Sequence, residues 1–476
     1  MSMNKKRNDN VFDEEESDGS DSYDESVLIN SMRELSIKKS AISEEKRKSK
    51  SDETKEDGIE YKVMKPIDHR IEFIKNVLDE SNLKPMVDFD NCETENYSDG
   101  KVSKKIINIK ELCKSMGLKL EYIKSGTTGH TFKGSLRDDP SIAFAFKVCA
   151  YPKGNYGSIN KDSRPENAEL RVLKLLSYFV VTKNSPHFVL PVTTFNTSIN
   201  TFVKIPKSIV DIEDKQNGSY REFVEKYYDN KFEDFVSVLI SEWANGGDLL
   251  DYIRNNYEKM TLRDWKVIFF QILFTLALIQ IKYPTFRHND MKANNILVQL
   301  TQNTTENKYY SYKIDKYKFI IPDIGIQIKI WDFDFASVDG IIENDKVNTK
   351  WANRINVTKK QNKYYDMHYF FNTLSSKRFF PQFREGGAPQ DIVDFIERVI
   401  PPKFRKAPRL FDKVGNPMVD DKGKPVYDEQ NVNAKGRIQI NTEYTTPFKV
   451  ITEDPLFEKN RFLNTDYSGK RGGSKK

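Results

Sequence analysis

The sequence changes character close to Leu249, and this change limits the folds that the chain can adopt. Short apolar runs typical of strands precede this point, at 118–123, 144–148 and 235–242, with one amphipathic helix predicted among them at 166–180. Apolar residues at helical spacing follow it, at 262–281, 364–374 and 390–399. Strands and helices in separate stretches are typical of α+β proteins. We therefore expect two lobes, a small β-rich one followed by a larger helical one.

The first sixty residues have a composition that does not support a folded core. Eight of the thirteen residues from Asp13 to Glu25 are acidic, and serines lie between them. A chain with few apolar residues and dense charge cannot offset the entropy that is lost on ordering. We predict a disordered acidic and Ser-rich tail over 1–60, which either keeps the protein soluble or is phosphorylated on its serines.

Charge and cysteine content argue against two classes of protein. Lys and Arg number 76 and Asp and Glu 70, so the formal net charge is only +6. Domains that bind nucleic acid usually concentrate positive charge, so we expect no nucleic-acid partner. The three cysteines, Cys92, Cys113 and Cys149, are odd in number and lack CxxC spacing. This pattern argues against a disulfide framework or a structural zinc site and fits a reducing compartment.

The most apolar stretch, 267–281, is short for a membrane span, because a bilayer core needs about 20 apolar residues. Gln271, Thr275 and Gln280 also interrupt it. The first residues of the chain are polar and do not resemble a secretory leader. We expect a buried core helix, no transmembrane segment and a soluble intracellular protein. Nothing in the sequence indicates the oligomeric state.

The strongest candidate for chemistry is the run HNDMKANN at 288–295, which an apolar segment follows. Phosphoryl transfer requires an acceptor hydroxyl held in line and metal ions that bridge the phosphates. Asp290 is of the type that accepts the hydroxyl proton, and Lys292 could neutralise charge on the transferred group. Asn295 could offer an amide oxygen to Mg²⁺. The run resembles the H-R-D-L-x-x-x-N catalytic loop of the protein-kinase superfamily.

A second acidic motif follows at 331–334, where WDFD ends a predicted strand and resembles the metal-binding DFG motif. Asp332 would bind Mg²⁺ from the side opposite Asn295, because Mg²⁺ takes carboxylate oxygens beside substrate phosphates. The interval between the two motifs is longer than a compact kinase hairpin requires. We attribute the excess to an insertion near 301–323, expected to form a longer hairpin on the surface.

Upstream, FAFK at 144–147 resembles the V-A-I-K motif on the third kinase strand. A buried Lys needs an anion, so Lys147 is expected to bind the phosphates of ATP and a helix carboxylate. Glu169 is the preferred carboxylate, since apolar residues at helical spacing surround it, and Glu166 is the alternative. By the same resemblance, Ala145 is expected to line the ATP site.

Two more segments complete the resemblance on the nucleotide side. SGTTGHTF at 125–132 resembles the Gly-rich loop, with Gly126 and Gly129 as its second and third glycines and Lys124 in place of the first. Glycines let backbone N–H groups approach phosphates closely.

The segment VLISEWANGGDL at 238–249 resembles the hinge between kinase lobes. This implies that backbone groups of Glu242 and Ala244 face the adenine edge. Asp248 would either bond the ribose hydroxyls or cap a helix.

The resemblance covers roughly 118–462 and implies a bilobal protein-kinase-like fold. It also implies that Asp366 holds the backbone of the catalytic loop, whereas His368 is expected to be a core residue. The predicted organisation is a tail at 1–60, an extension at 61–117 that packs on the N-lobe, an N-lobe and hinge at 118–244, and a C-lobe at 245–470 with insertions near 301–323 and 411–433.

Two departures from the superfamily pattern narrow the resemblance. Asn289 replaces the Arg that would bind an activation-loop phosphate, and no A-P-E lies between Asp332 and Asp366. Together with YYDMHYFF at 364–371, these features resemble the divergent serine/threonine kinases of poxviruses and other large DNA viruses. That resemblance implies a protein of the host cytoplasm or the virion.

We therefore predict an ATP- and Mg²⁺-dependent serine/threonine protein kinase whose partners are protein substrates with Ser or Thr acceptors. Lys292 favours these hydroxyls over tyrosine. Two alternatives stay open. Small-molecule kinases of the choline or aminoglycoside type share H-N-D-x-x-x-x-N and lack A-P-E. A pseudokinase scaffold would recruit partners through the tail and insertions, although pseudokinases usually lose a residue of the set Lys147, Asp290, Asn295 and Asp332, which is intact here.

Overall fold

The computed structural model describes residues 55–56, 59–62, 66–98, 102–126, 129–301, 309–440 and 442–463. Apart from 55–56 and 59–60, the predicted tail over 1–60 lies outside the described residues. Thr127 and Thr128, at the tip of the predicted Gly-rich loop, also lie outside them.

The strands in this part of the chain are β1 (Lys55–Glu56), β2 (Ile59–Lys62), β3 (Leu118–Ser125), β4 (His130–Leu136), β5 (Ala143–Pro152), β6 (Pro191–Ser198), β7 (Phe232–Glu242), β8 (Phe286–Arg287), β9 (Ile296–Leu300), β10 (Tyr309–Ile314), β11 (Tyr317–Pro322), β12 (Ile326–Ile330), β13 (Ser337–Val338) and β14 (Arg461–Leu463). The α-helices are α1 (Pro66–Ser81), α2 (Thr94–Ser98), α3 (Ile109–Ser115), α4 (Pro165–Val181), α5 (Asn200–Val203), α6 (Gly218–Tyr228), α7 (Leu249–Asn256), α8 (Leu262–Lys282), α9 (Lys350–Arg354), α10 (Tyr365–Leu374), α11 (Gln390–Val399) and α12 (Pro447–Glu453).

The first lobe is built on an antiparallel sheet with the strand order β3-β4-β5-β7-β6. Side chains along β4 alternate between buried and half-buried, as expected for a strand with one face on the core. Strands β5 and β7 lie inside the sheet, and Phe146 and Ile240, which are paired across them, are fully buried. The same register places Lys147 opposite Leu239, so this lysine projects from the interior of the sheet.

The segment before β3 packs on this lobe. Tyr97 of α2 meets Tyr178 of α4 edge to face, with 5.6 Å between the ring centroids. Phe73 of α1 stacks on Phe144 of β5 at 5.7 Å. From α1, Arg70 donates a 2.6 Å hydrogen bond to the carbonyl oxygen of Phe188, which precedes β6. Helices α1 and α2 therefore cover α4 and the end of the sheet next to the hinge.

Helix α8 forms the centre of the second lobe. It begins with a capping box, in which Thr261 and Asp264 satisfy each other's backbone N–H groups. Phe269 of α8 meets Phe371 of α10 edge to face at 4.8 Å. In the part of the chain that the structure describes, α8 alone has the length and apolar character to cross a membrane, but 78% of its apolar window is buried inside the protein. This burial agrees with the predicted core helix.

A second five-stranded sheet has the order β1-β2-β10-β11-β14. The predicted insertion near 301–323 supplies its central hairpin, β10 and β11. Tyr312 and Phe319 of this hairpin lie 5.2 and 5.0 Å from the ring of Phe270 in α8. The hairpin is therefore anchored on the core, in contrast to the expected surface position, because its aromatic side chains share the face toward α8.

The predicted α+β arrangement is confirmed: a β-rich lobe precedes a helical one. The helix predicted at 390–399 has these bounds in the structure, and those predicted at 166–180 and 262–281 end within one residue of α4 and α8. His368 is a core residue, as expected. Its ring lies 2.6 Å from the carbonyl oxygen of Phe404, and burial lowers the pKa of His368 to about 4.

Candidate active site

Lys147 connects the two lobes. Its Nζ lies 2.5 Å from a carboxylate oxygen of Glu169 on α4 and 3.0 Å from Oδ1 of Asp332, which follows β12. Lys147 and Glu169 are buried, whereas about a third of the Asp332 side chain is exposed. Burial alone lowers the pKa of Lys147, but Asp332 and Glu169 more than reverse this and hold it well above the ordinary value. The ammonium group is therefore fixed as a cation between two carboxylates.

The alternative partner, Glu166, has a different role. It lies one helical turn before Glu169 and bonds the guanidinium of Arg164, with 2.9 Å between Oε2 and Nε. Arg164 is fully buried and also donates to the carbonyl oxygens of Pro152 and Gly157. Glu166 thus belongs to the cluster that fixes the start of α4, and Lys147 pairs with Glu169.

Asp290, Lys292 and Asn295 form one hydrogen-bonded group. Oδ2 of Asp290 accepts from Nζ of Lys292 at 2.8 Å and from Nδ2 of Asn295 at 3.0 Å. Asn295 also donates to the backbone carbonyl of Asp290 at 2.9 Å. The loop therefore folds back on itself, and the side chains of Lys292 and Asn295 both donate to Oδ2 of Asp290.

Asp366 holds the backbone that leads into this group. The carboxylate is fully buried and accepts the N–H of His288 at 2.8 Å and that of Asn289 at 2.9 Å. Asn289 has a φ of 65°, a conformation that non-glycine residues adopt at a cost. Asp366 therefore stabilises an unusual backbone turn directly before Asp290.

Arg437 is the main residue at this site that the sequence analysis did not single out. Its Nη2 lies 2.6 Å from Oδ1 of Asp290, and its Nη1 donates to the carbonyl oxygen of Asn289 and to the hydroxyl of Tyr365. The guanidinium carbon is 3.9 Å from the ring centroid of Tyr369. Burial lowers the pKa of Arg437, but the two tyrosines and Asp290 raise it above its ordinary value, so the group stays charged.

Asn295 and Asp332 are the candidate metal ligands. The backbone N–H of Trp331 bonds the carbonyl oxygen of Asn295 at 3.1 Å, so the two motifs are physically joined. Burial raises the pKa of Asp332, but the opposite effect of Lys147 is larger, so the pKa lies below its ordinary value. No group of three or more His, Cys, Asp or Glu side chains able to hold a metal occurs among the described residues. One carboxylate and one amide suit Mg²⁺ only if phosphate oxygens and water complete its shell.

Of the predicted Gly-rich loop, the described residue Gly129 lies next to the side chain of Lys147. The N–H of Gly126 bonds the carbonyl oxygen of Gly129 at 2.8 Å and closes the turn between β3 and β4. A Cβ atom on Gly129 would lie only 2.8 Å from Sγ of Cys149 and 3.1 Å from the carbonyl oxygen of Val148, so any larger residue would require these neighbours to shift. Lys124, in place of the first glycine, bonds Oδ2 of Asp248 across the cleft at 2.9 Å.

Of the predicted hinge residues, Glu242 ends β7, and Ala244 and Asp248 follow it. Ala145 of β5 is paired with Ser241 of β7. Asp248 caps α7: its Oδ1 accepts the N–H of Asp251 at 3.1 Å. The other oxygen of Asp248 is held by Lys124, so a ribose hydroxyl would have to share or displace that contact.

The side chain of Glu242 pairs with Arg70 of α1 through two contacts of 2.8 and 2.7 Å. It also accepts the N–H of Leu190 at 2.7 Å. Burial raises the pKa of Glu242, but Arg70 lowers it to below the ordinary value. The back of the hinge is thus fixed by the N-terminal helix.

Asn289, which replaces the usual Arg, also bonds the segment after Asp332. Its Nδ2 donates to the carbonyl oxygens of Phe335 and Thr358, each at 3.0 Å. Strand β13 of this segment pairs with β8 just before the catalytic loop. Asp334, in place of the DFG glycine, pairs with Lys346 farther along the same segment. The hydrogen bonds of the neutral Asn289 amide and the ion pair between Asp334 and Lys346 therefore hold the segment after Asp332 in place.

A family model described as poxvirus serine/threonine protein kinase matches residues 158–395, half of the chain. A protein of Acanthamoeba polyphaga mimivirus whose assigned name is that of a serine/threonine-protein kinase is 57% identical over 400 residues, 84% of this chain and 81% of the relative. A second mimivirus protein with this type of name is 40% identical over 89 residues, 18% of this chain and 22% of the relative.

A protein of Dictyostelium discoideum, also named as a serine/threonine-protein kinase, is 31% identical over 143 residues, 29% of this chain and 11% of the relative. These similarities confirm the resemblance to the kinases of poxviruses and other large DNA viruses that the motifs indicated. Half of the chain matches the family model, and the match extends from the approach to α4 to the middle of α11. The chain therefore belongs to the poxvirus serine/threonine protein kinase family.

Proposed function

We propose that this protein transfers the γ-phosphate of ATP, with Mg²⁺, to serine and threonine hydroxyls of protein substrates. One observation carries the proposal: Lys147 bonds both Glu169 and Asp332, the latter 185 residues away along the chain. A lysine held between two carboxylates at the junction of the lobes is suited to bind phosphates. The family relationship supports the same reaction class.

Each side chain has a proposed task in the transfer. Asp290 orients the acceptor hydroxyl and accepts its proton, and Lys292, 2.8 Å from that carboxylate, neutralises charge on the transferred group. Asn295 and Asp332 would hold Mg²⁺, which would supply positive charge beside the phosphates. The protein contributes mainly position and electrostatics, because phosphoryl transfer requires little covalent chemistry from it.

The nucleotide would lie under the turn that contains Gly126 and Gly129. Lys147 would bind its phosphates, with Glu169 fixing the orientation of the lysine. The adenine would lie beside Ala145 and the hinge, and backbone groups of Glu242 and Ala244 would face its edge. Asp248 is a ribose ligand only if it exchanges its contact with Lys124.

The test is an assay with labelled ATP and a casein-like protein, followed by phospho-amino-acid analysis. Asp290→Asn and Lys147→Ala should abolish transfer, because each removes a charge that the others cannot replace. Asp421→Asn is the matched control, since Asp421 is exposed and lies outside the cleft. Wild-type transfer by either active-site variant would refute the assigned roles, and phosphotyrosine as the main product would refute the acceptor class.

The same assay addresses the two alternatives. Transfer to choline or an aminoglycoside but not to protein would favour a small-molecule kinase. A pseudokinase would show no transfer, and failure of Mg·ATP to raise the melting temperature would favour it, because a ligand that binds only the native state must stabilise it. The viral relatives further support a protein that acts in the host cytoplasm or the virion.

A further inference from the structure

Arg437 reaches the candidate catalytic carboxylate from a distant part of the chain, 147 residues after Asp290. It is buried, with 6% of its surface exposed. A cation is costly to bury unless it is paired and hydrogen-bonded. Here the acceptors are the Asp290 carboxylate, the carbonyl oxygen of Asn289 and the hydroxyl of Tyr365. All three acceptors belong to the catalytic loop or to α10 beneath it.

The segment that carries Arg437 contains three turns with the same hydrogen bonds, which begin at Asp412, Asp420 and Asn433. In each, the side-chain oxygen of the first residue accepts the N–H groups two and four residues later. The first residue's own N–H bonds the carbonyl oxygen four residues later. The fourth residue of each turn is glycine, with φ of 91°, 72° and 77° in chain order. The three turns therefore share one local structure.

The third turn differs from the first two in its surroundings. The fifth residues of the first two turns, Asn416 and Lys424, are exposed, whereas the fifth residue of the third turn is Arg437. The third turn also begins with Asn instead of Asp, and the amide of Asn433 donates to the carbonyl oxygen of Ile355 at 3.4 Å. Asn356, beside it, donates to the carbonyl oxygen of Ile438. The third turn is thus docked on the segment that follows Asp332.

The contacts of Asp290 show how the third turn restricts the orientation of this carboxylate. An ionised carboxylate has about four sites that accept hydrogen bonds. Lys292 and Asn295 occupy Oδ2, and Arg437 occupies one site on Oδ1. The remaining site is therefore on Oδ1, beside Arg437. Both oxygens are fixed, so the carboxylate cannot rotate while a hydroxyl approaches this site.

Arg437 and Asp366 also bond the two backbone groups of one residue, Asn289. Asp366 accepts the N–H of Asn289, and Arg437 donates to the carbonyl oxygen of Asn289. The φ of 65° at this residue is therefore fixed by one partner from α10 and one from the third turn.

We infer that Arg437 is a positioning residue for Asp290: the third turn holds the catalytic carboxylate and its loop in the orientation that accepts a substrate hydroxyl. The inference rests on the proposed function, in which Asp290 receives that hydroxyl. It gives the 409–440 segment a catalytic purpose in a chain that has no A-P-E between Asp332 and Asp366.

The test compares Arg437→Met and Arg437→Lys with Lys424→Met, which changes the fifth residue of the second, exposed turn. Arg437→Met should lower kcat about 100-fold, since an error of ~1 Å in a reacting group costs this much. The affinity for Mg·ADP should stay at the wild-type value, because Arg437 bonds no residue of the proposed nucleotide site. Arg437→Lys keeps the charge but loses the fork of donors, so its kcat should be intermediate. Lys424→Met should behave as the wild type.

A double-mutant cycle separates positioning from general structural support. In an Asp290→Glu background, which keeps a displaced carboxylate and measurable residual transfer, Arg437→Met should cause little further loss of transfer, because its effect passes through the position of that carboxylate. Losses that multiply instead would show an independent structural role and overturn the inference. A wild-type kcat for Arg437→Met would overturn the inference, and a kcat above that of the wild type would overturn it by identifying an inhibitory contact.

The inference can still be tested if Arg437→Met does not fold, and its failure can be distinguished from failure of the proposed function. If Arg437→Met does not fold, Arg437→Lys decides, and a wild-type kcat for that variant overturns the inference. If Asp290→Asn transfers phosphate at the wild-type rate, the proposed function fails first. An inactive Asp290→Asn together with a fully active Arg437→Met rejects the inference alone.

Discussion

Replacing Asp366 with Asn should damage both stability and catalysis. Asp366 is fully buried and accepts two backbone N–H groups, from His288 at 2.8 Å and from Asn289 at 2.9 Å. Hydrogen bonds to a charged partner contribute about 1.5–3 kcal/mol each, and a neutral one about 1 kcal/mol. Asn can accept only one of the two N–H groups and points its own N–H at the other. The expected loss in free energy of unfolding is therefore about 2–4 kcal/mol.

Urea unfolding of wild type, Asp366→Asn and the exposed control Asp421→Asn measures this loss, and a kinase assay well below the melting temperature measures kcat. Relaxation of the φ of 65° at Asn289 should move Asp290 and lower kcat about 100-fold. Binding of Mg·ADP should persist. A stability change for Asp366→Asn no larger than that of the control, with normal kcat, would refute the view that Asp366 holds this loop.

Two further predictions concern the ion pairs of the first lobe. Glu169→Gln leaves Lys147 with Asp332 as its one carboxylate partner. Because the lysine would then be misplaced, kcat/KM for ATP should fall about 10–100-fold. An unchanged kcat/KM in a steady-state assay would contradict this prediction. Glu242→Gln removes the partner of Arg70. Since the pKa of Glu242 is lowered by folding, the stability that it contributes is present above its unfolded pKa and is lost as pH falls through the folded pKa. Urea midpoints of wild type and Glu242→Gln should therefore differ at pH 7 and converge in acid, and a constant difference would argue against the pair.

Much of the candidate site was predictable because each residue is tied to a short local pattern. Lys147 lies between apolar strand residues, and Asp332 ends a buried strand, so their positions in the fold follow from the strands themselves. The choice of Glu169 over Glu166 followed from helical spacing. Only the helix face that meets the sheet can present a carboxylate to Lys147.

The long-range contacts could not be predicted in this way. Arg437 and Asp290 are 147 residues apart, and Arg70 and Glu242 are 172 apart. A lone arginine near a turn carries no periodic signal that identifies its partner. All three matched turns contain a Gly-Asn or Lys-Gly pair in the sequence, but the functional meaning of the third comes from its docking on the segment after Asp332. Likewise, the sequence predicted a hairpin in the insertion near 301–323, but not that its strands pair with β2 and β14.

The attachment of helix α1 to the hinge bears on which fragment of this protein can function independently. A fragment that starts at β3 would contain every motif of the kinase core, yet it would leave the largely buried carboxylate of Glu242 at the hinge without the guanidinium of Arg70. The loss of this ion pair would destabilise the hinge, which sets the relative position of the lobes. The smallest autonomous catalytic unit should therefore begin at or before Pro66, well upstream of the first recognisable motif.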